Sequence, residues 1–164
     1  MRKYFFLIAI SVLLLDRITK WAVAGNIALH DSVAVIPGFF RLTHVQNAGA
    51  AFGLFSESSA QWKAGALVSF SVLALIVVLA LLWRNGHSFS TTTIGLSLIL
   101  GGAMGNLWDR VFTGHVVDFL DFFVGSYHWP AFNIADSAIV VGALLLVTEL
   151  VFAKSPSQTV KSSS

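Results

Sequence analysis

The sequence predicts an all-α membrane protein: four transmembrane helices with a small extracytoplasmic β-sheet between the first and second. Three observations predict it. The chain of 164 residues is 56% hydrophobic and only 11% charged, where a soluble domain carries about 25% charged residues. It contains apolar runs long enough to cross a bilayer. Between the first two runs, residues 32–45 are rich in β-branched and aromatic side chains around a Pro37-Gly38 turn signal. The length suits a single domain, placed over residues 1–153. The polar, serine-rich residues 154–164 are expected to be a disordered cytoplasmic tail. A net charge of +2 with no basic run gives no argument for nucleic acid. The absence of cysteine excludes disulfides, thiol catalysis and cysteine metal sites.

The first apolar run starts at Tyr4 and continues past Asp16, Arg17 and Lys20, giving a span at about 4–24. A cleaved signal peptide is the alternative there, with Arg2 and Lys3 as its basic start and Ala22-Val23-Ala24 as its cleavage site. The charged stretch from Asp16 to Lys20 lies between core and site and argues against it. The second span, 64–83, is an uncharged stretch of 20 residues. The third covers about 92–110 and closes on Asp109 and Arg110; the fourth covers about 132–153, with Asp136 near its start and Glu149 near its end. Arg2, Lys3, Arg84, Lys154 and Lys161 then share one face, which the distribution of Lys and Arg assigns to the cytoplasm with both termini. Outer loops fall at 25–63 and 111–131. Asp16 sits about 20 Å from the inner edge, and of the eight acids only Glu149 lies near the cytoplasm. The polar chemistry gathers at the outer surface.

An ionisable residue at or in a bilayer is expensive and reads by default as functional. Asp118, in Gly114-His-Val-Val-Asp118-Phe-Leu, and Asp136, in Pro130-Ala-Phe-Asn133-Ile-Ala-Asp136-Ser, flank the start of the last span. Converging beside apolar surface, they suggest a carboxylate pair sharing one proton and activating water. Other hydrolytic chemistries lack their motifs: no His-Glu-x-x-His, no Gly-x-Ser-x-Gly elbow, no metal-ligand spacing among the five histidines. Ser137 beside Lys20 is conceivable as a Ser/Lys site, but nothing singles it out. No cofactor or metal is expected.

The remaining polar residues have structural readings beside functional ones. Asp16 and Lys20, four apart, can pair on one helix face, first of all as a tether. Asn106 and Asp109, three apart, with Arg110, read equally as a shell holding a substrate backbone or as a helix-end network. Asn133, three before Asp136, can orient that carboxylate. The small residues from Asn47 through Gly49 to Gly53 allow close backbone approach, and for the glycines a packing loop is the simpler reading. Glu149 reads as snorkelling or pairing near the interface.

Five blocks together resemble those of bacterial lipoprotein signal peptidase (signal peptidase II): Asp16-Arg-Ile-Thr-Lys20; Val45-Gln-Asn47-Ala-Gly-Ala-Ala-Phe-Gly53; Gly101-Gly-Ala-Met-Gly105-Asn-Leu-Trp-Asp109-Arg110; Gly114-His-Val-Val-Asp118-Phe; and Phe132-Asn133-Ile-Ala-Asp136-Ser. They come in the family's order and cover all but the tail. The resemblance implies a four-helix inner-membrane aspartyl peptidase with a small extracytoplasmic β-cradle. Such enzymes cut prolipoprotein signal peptides on the amino side of a diacylglyceryl-modified cysteine, and are the target of globomycin. Asp118 and Asp136 fall on its catalytic aspartates. Asp16, Asn47, Asn106, Arg110 and Asn133 fall on its supporting or substrate-contacting positions, and Lys20, Gly49 and Asp109 lie in the same blocks. The expected partners are the lipid-modified substrate and membrane lipid, with the enzyme itself a monomer.

Two rival classes remain. A proton-coupled transporter would also use intramembrane carboxylates, but it needs polar groups at depth on both sides and the chain shows no internal repeat. A membrane scaffold would use its acids only to pair with Arg17, Lys20 and Arg110.

Overall fold

The computed structural model describes residues 2–49, 60–85 and 89–152. The expected tail at 154–164, and residues 50–53 of the Asn47–Gly53 block, lie outside the described residues. Four helices form: α1 (Arg2–Asn26), α2 (Ala60–Asn85), α3 (Thr91–Phe112) and α4 (Ile134–Phe152). Two stretches, Gly65–Asn85 in α2 and Ile134–Phe152 in α4, are long and apolar enough to cross a membrane by length and composition.

Helix α3 is the centre, packed against α1, α2 and α4. Its glycines explain how. A Cβ on Gly101 would lie 2.5 Å from the Ala9 carbonyl oxygen of α1, and one on Gly102 would lie 2.3 Å from that of Ala135 on α4. Gly95 and Gly142 meet face to face about two turns further along α4, where an added Cβ would approach the opposite carbonyl oxygen to 2.8 and 2.5 Å. Close approach of this kind is how helices gain packing where water provides no drive to associate. Phe5, Ala9, Val78, Leu82, Leu96 and Leu100 fill the core. Large apolar residues such as Leu14, Ile18, Phe70, Ile76 and Leu150 face outward, while Asp16, Lys20, Asn106, Asp109 and Asn133 are buried.

The helix ends are satisfied by side chains. Ser90 caps α3, accepting from Thr93 N at 3.2 Å while the Thr93 hydroxyl accepts from Ser90 N at 3.0 Å. Of the two readings of Glu149, snorkelling or pairing, the structure shows a pairing. Its Oε2 accepts the Thr92 amide at 3.1 Å, so the end of α4 places a carboxylate on the start of α3.

Between the helices lies a four-stranded antiparallel sheet in the order β1 (Ser32–Ile36), β2 (Phe40–Asn47), β3 (Val116–Val124), β4 (Tyr127–His128). The β1–β2 hairpin turns where Pro37-Gly38 predicts, with Gly38 at φ 77° and Phe39 N donating to Ile36 O at 3.1 Å. The expectation of a sheet confined to the segment between the first two helices is corrected: half of its strands come from between α3 and α4. The two acids of 116–124 hid a strand that otherwise reads as β-branched and aromatic. Asp118 therefore stands on a strand, opposite Val45 of β2. Val23 and Ile27 at the end of α1 pack against Phe119 of β3, seating the sheet on the bundle. Asp121 locks the outer strands: its carboxylate receives Arg41 Nε at 2.6 Å and lies 3.0 Å from His128 Nδ1.

Gly102→Val would drive a branched side chain into a backbone carbonyl. Overpacking of this kind costs about 1–3 kcal/mol or more. A thermal melt in detergent should therefore fall by several degrees for Gly102→Val. Gly25→Ala, whose Cβ meets nothing within 4 Å, should melt at the wild-type temperature or slightly above. Equal melting of Gly102→Val and wild type would contradict the α3–α4 contact.

Candidate active site

The site is built at the start of α4. Helix N-termini leave backbone amides without partners, and here two acids and an asparagine meet them. Asn133 is the cap: its Oδ1 accepts the Asp136 amide at 2.9 Å, and Asp136 Oδ2 accepts the Asn133 amide at 3.2 Å. This is a capping box with an acid at its third helical position. The next amide, Ala135 N, donates to Asp16 Oδ1 from α1 at 3.0 Å. The three-residue spacing that let Asn133 orient Asp136 is thus realised through the backbone.

Asn133 also reaches Asp118. Its Nδ2 donates to Asp118 Oδ1 at 2.7 Å. The approach is fixed by the preceding residue, since Phe132 O accepts from both Phe119 N (3.0 Å) and Leu120 N (2.8 Å), strapping the entry of α4 to β3. On the other side Asn47 Nδ2 donates to Asp118 Oδ2 at 3.0 Å, while Asn47 Oδ1 accepts from Gly49 N at 2.8 Å. Gly49 holds φ 90°, a left-handed conformation suited to glycine. Asp136 Oδ1 accepts from Asn106 Nδ2 at 2.7 Å. Every oxygen of the two carboxylates therefore receives one N–H, and Asn133 bonds to both.

Behind Asn106 lies a buried ion network. Lys20 Nζ is 2.8 Å from Asp16 Oδ2 and 2.7 Å from Asp109 Oδ2, and donates to Asn106 Oδ1 at 3.0 Å. Asp109 is also paired with Arg17, a partner that sequence reading did not place at the site. Charge alone could have suggested it, since two buried acids need more than one cation. Arg110 stands apart from this network. Among the described residues its Nη1 reaches only the Asn106 carbonyl oxygen, at 3.4 Å, and its buried Nε meets no partner.

Asp118 is 3% exposed, whereas Asp136 is half-buried and lines a groove of about 370 Å³ with Trp129, Phe132, Ser137, Val140 and Val141. Burial pushes Asp118 up to about 6, assisted by the charge of Asp136 and opposed by the amides of Asn47 and Asn133. Asp121 moves the other way. Burial raises it, but the bonds from His128 and Arg41 outweigh that and hold its carboxyl below the ordinary range.

The family model for signal peptidase (SPase) II matches residues 8–152. A lipoprotein signal peptidase of Solibacter usitatus (strain Ellin6076) is 46% identical over 143 residues, 87% of this chain and 87% of that one. Another, of Burkholderia mallei (strain SAVP1), is 49% identical over 140 residues, 85% of this chain and 82% of that one. A solved bacterial membrane enzyme, determined by the in meso method at 1.9 Å, aligns with a TM-score of 0.82 at 34% identity, covering 93% of this chain and 95% of that one.

The hydrogen-bond pattern predicts how Asp118 titrates. Infrared difference spectra of protein labelled with 13C-aspartate, with Asp118→Asn identifying the band, should give a midpoint near the value of about 6. Asp136→Asn should lower that midpoint by removing a neighbouring negative charge. Asn47→Ala should raise it by removing a donor to the ionised form. Midpoints unmoved in both variants would contradict the coupling.

Proposed function

The chain belongs to the signal peptidase II family, and from that premise we propose that it is an intramembrane aspartyl endopeptidase removing the signal peptide from bacterial prolipoproteins. The bond cut is on the amino side of the diacylglyceryl-modified cysteine. The observation that carries this reading is the pair Asp118 and Asp136, bridged by Asn133, with every carboxylate oxygen receiving an N–H. Two acids so linked carry one proton between them more readily than two negative charges.

In this mechanism the buried Asp118 holds the shared proton and hydrogen-bonds the scissile carbonyl oxygen. Asp136, on the groove, takes a proton from water as the water oxygen attacks the carbonyl carbon. Negative charge developing on the carbonyl oxygen is met by the Asp118 hydroxyl. As the C–N bond breaks, the proton held by Asp136 passes to the leaving nitrogen. No metal or cofactor enters. The amides of Asn47, Asn106 and Asn133 hold the two acids. Arg110, whose guanidinium is largely unengaged, is placed to hold a substrate backbone. The apolar groove beside Asp136 suits the lipid-bearing substrate, and globomycin would compete at this site.

The enzyme is proposed as a monomeric, multi-pass protein of the bacterial inner membrane, with residues 1–153 as one domain and all four helices as spans. Support comes from α1: its charges at Asp16 and Lys20 are buried against the bundle while Leu7, Ile10, Leu14 and Ile18 face outward. The Lys and Arg distribution supports cytoplasmic termini and a site near the periplasmic surface.

Cleavage of a diacylated prolipoprotein peptide in lipid tests the proposal. Wild type should cleave with chelator present. Asp118→Asn and Asp136→Asn should each fold and lose about 10³-fold or more in kcat. A scaffold or transporter would show no cleavage at all, and full activity in either variant would sink the carboxylate-pair mechanism.

A further inference from the structure

Lys20 is buried to 2% exposure, within hydrogen-bond reach of Asp16 Oδ2, Asp109 Oδ2 and Asn106 Oδ1. An ammonium has three N–H donors and no acceptor, so these three contacts fill it. The two carboxylates suffice to balance its charge. The third contact, to a neutral amide, does something else. Because Lys20 can only donate, Asn106 must turn Oδ1 toward it, and Nδ2 is left to face Asp136 Oδ1 at 2.7 Å. Asp136 favours the same choice from the other end of the amide, because its carboxylate accepts, and Asn133 Nδ2 reaches Asn106 Oδ1 at 3.4 Å; Lys20 is the cation that holds that oxygen in place.

Without Lys20 a competing orientation of the amide opens. Among the described residues, Asp16 Oδ2 and Asp109 Oδ2 receive no hydrogen bond other than their contact with Lys20. Losing the ammonium would leave two hungry acceptors beside Asn106, and the amide would gain by turning Nδ2 to them. Its Oδ1 would then oppose the Asp136 carboxylate, oxygen to oxygen, which is repulsive. We propose that Lys20 is a positioning residue for the reaction: its ammonium locks the Asn106 amide so that Asp136 keeps its donor, and it acts on the chemistry through Asn106 without touching substrate. This rests on the proposed role of the carboxylate pair.

The test is steady-state cleavage of the diacylated prolipoprotein peptide by full-length protein in lipid. Lys20→Met should lower kcat by about 10- to 100-fold with KM within about two-fold of wild type, the pattern of an interaction made in the transition state. Made in an Asn106→Ala background, it should lower kcat by no more than about two-fold further, because the amide it acts through is gone. Should Lys20→Met fail to fold, Asp16→Asn with Lys20→Met removes one anion and one cation together. That pair leaves Arg17 on Asp109 and an oxygen at position 16 for Ala135 N, and it should show the same kcat loss. Wild-type kcat in a folded variant would overturn the proposal. So would a loss that multiplies fully with that of Asn106→Ala, which marks a merely structural role. If Asp118→Asn and Asp136→Asn abolish cleavage while Lys20→Met does not, only the Lys20 assignment falls. If those two aspartate variants stay active, the carboxylate-pair reading itself falls.

Discussion

A charge taken out of water must be paired or it destabilises whatever encloses it, and Lys20 is enclosed by the helix bundle. That single constraint organises the polar interior. Its partners come from its own helix, Asp16, and from α3, Asp109 and Asn106. Asp109 then takes Arg17 as a second cation, so two acids and two bases close the account. Asp16 has a second oxygen, and it is spent on the Ala135 amide at the start of α4. Three helices are therefore registered against one another by one ammonium. The glycines of α3 make the geometry possible: a Cβ on Gly105 would lie 2.6 Å from Asp16 Oδ2, so any larger residue there would displace the carboxylate that Lys20 requires.

From that network outward, each step to the candidate site is a hydrogen bond with one allowed direction. Lys20 orients Asn106, and Asn106 donates to Asp136. Asp136 and Asn133 cap α4 reciprocally, and Asn133 donates to Asp118. The positive end of the α4 dipole adds to the stabilisation of negative charge here. The burial that raises Asp118 acts against it.

The parts of this arrangement legible in the sequence are those set by local spacing. Apolar runs located the helices, Pro37-Gly38 located the first hairpin, and three- and four-residue spacings paired Asn133 with Asp136 and Asp16 with Lys20. What could not be read is set by partners distant in the chain. Arg17 meets Asp109 across 92 residues and Lys20 meets Asn106 across 86; no periodicity encodes such a meeting. Strand β3 was obscured because Asp118 and Asp121 are poor strand formers by propensity. Their partners outweigh that preference: Arg41 and His128 for Asp121, two asparagine amides for Asp118. For Glu149 spacing allowed a pairing without naming the partner, which is the Thr92 amide at the start of α3.

The two acids stand on different kinds of element, one on a strand and one on a helix, and this bears on how their spacing is kept. A pair on one helix would be held by that helix. Here the relation depends on the short passage from Leu120 through Phe132 to Asn133, where a bridge between β3 and the entry of α4 ends one residue before the cap begins. Asn133 closes that passage with its backbone amide on the Asp136 carboxylate, its side-chain amide on the Asp118 carboxylate and its side-chain oxygen on the Asp136 backbone amide. The residue is fully buried, so its amide has no water to turn to and its two ends keep their assigned partners. The joint between the sheet and the bundle is thus itself the bridge between the carboxylates.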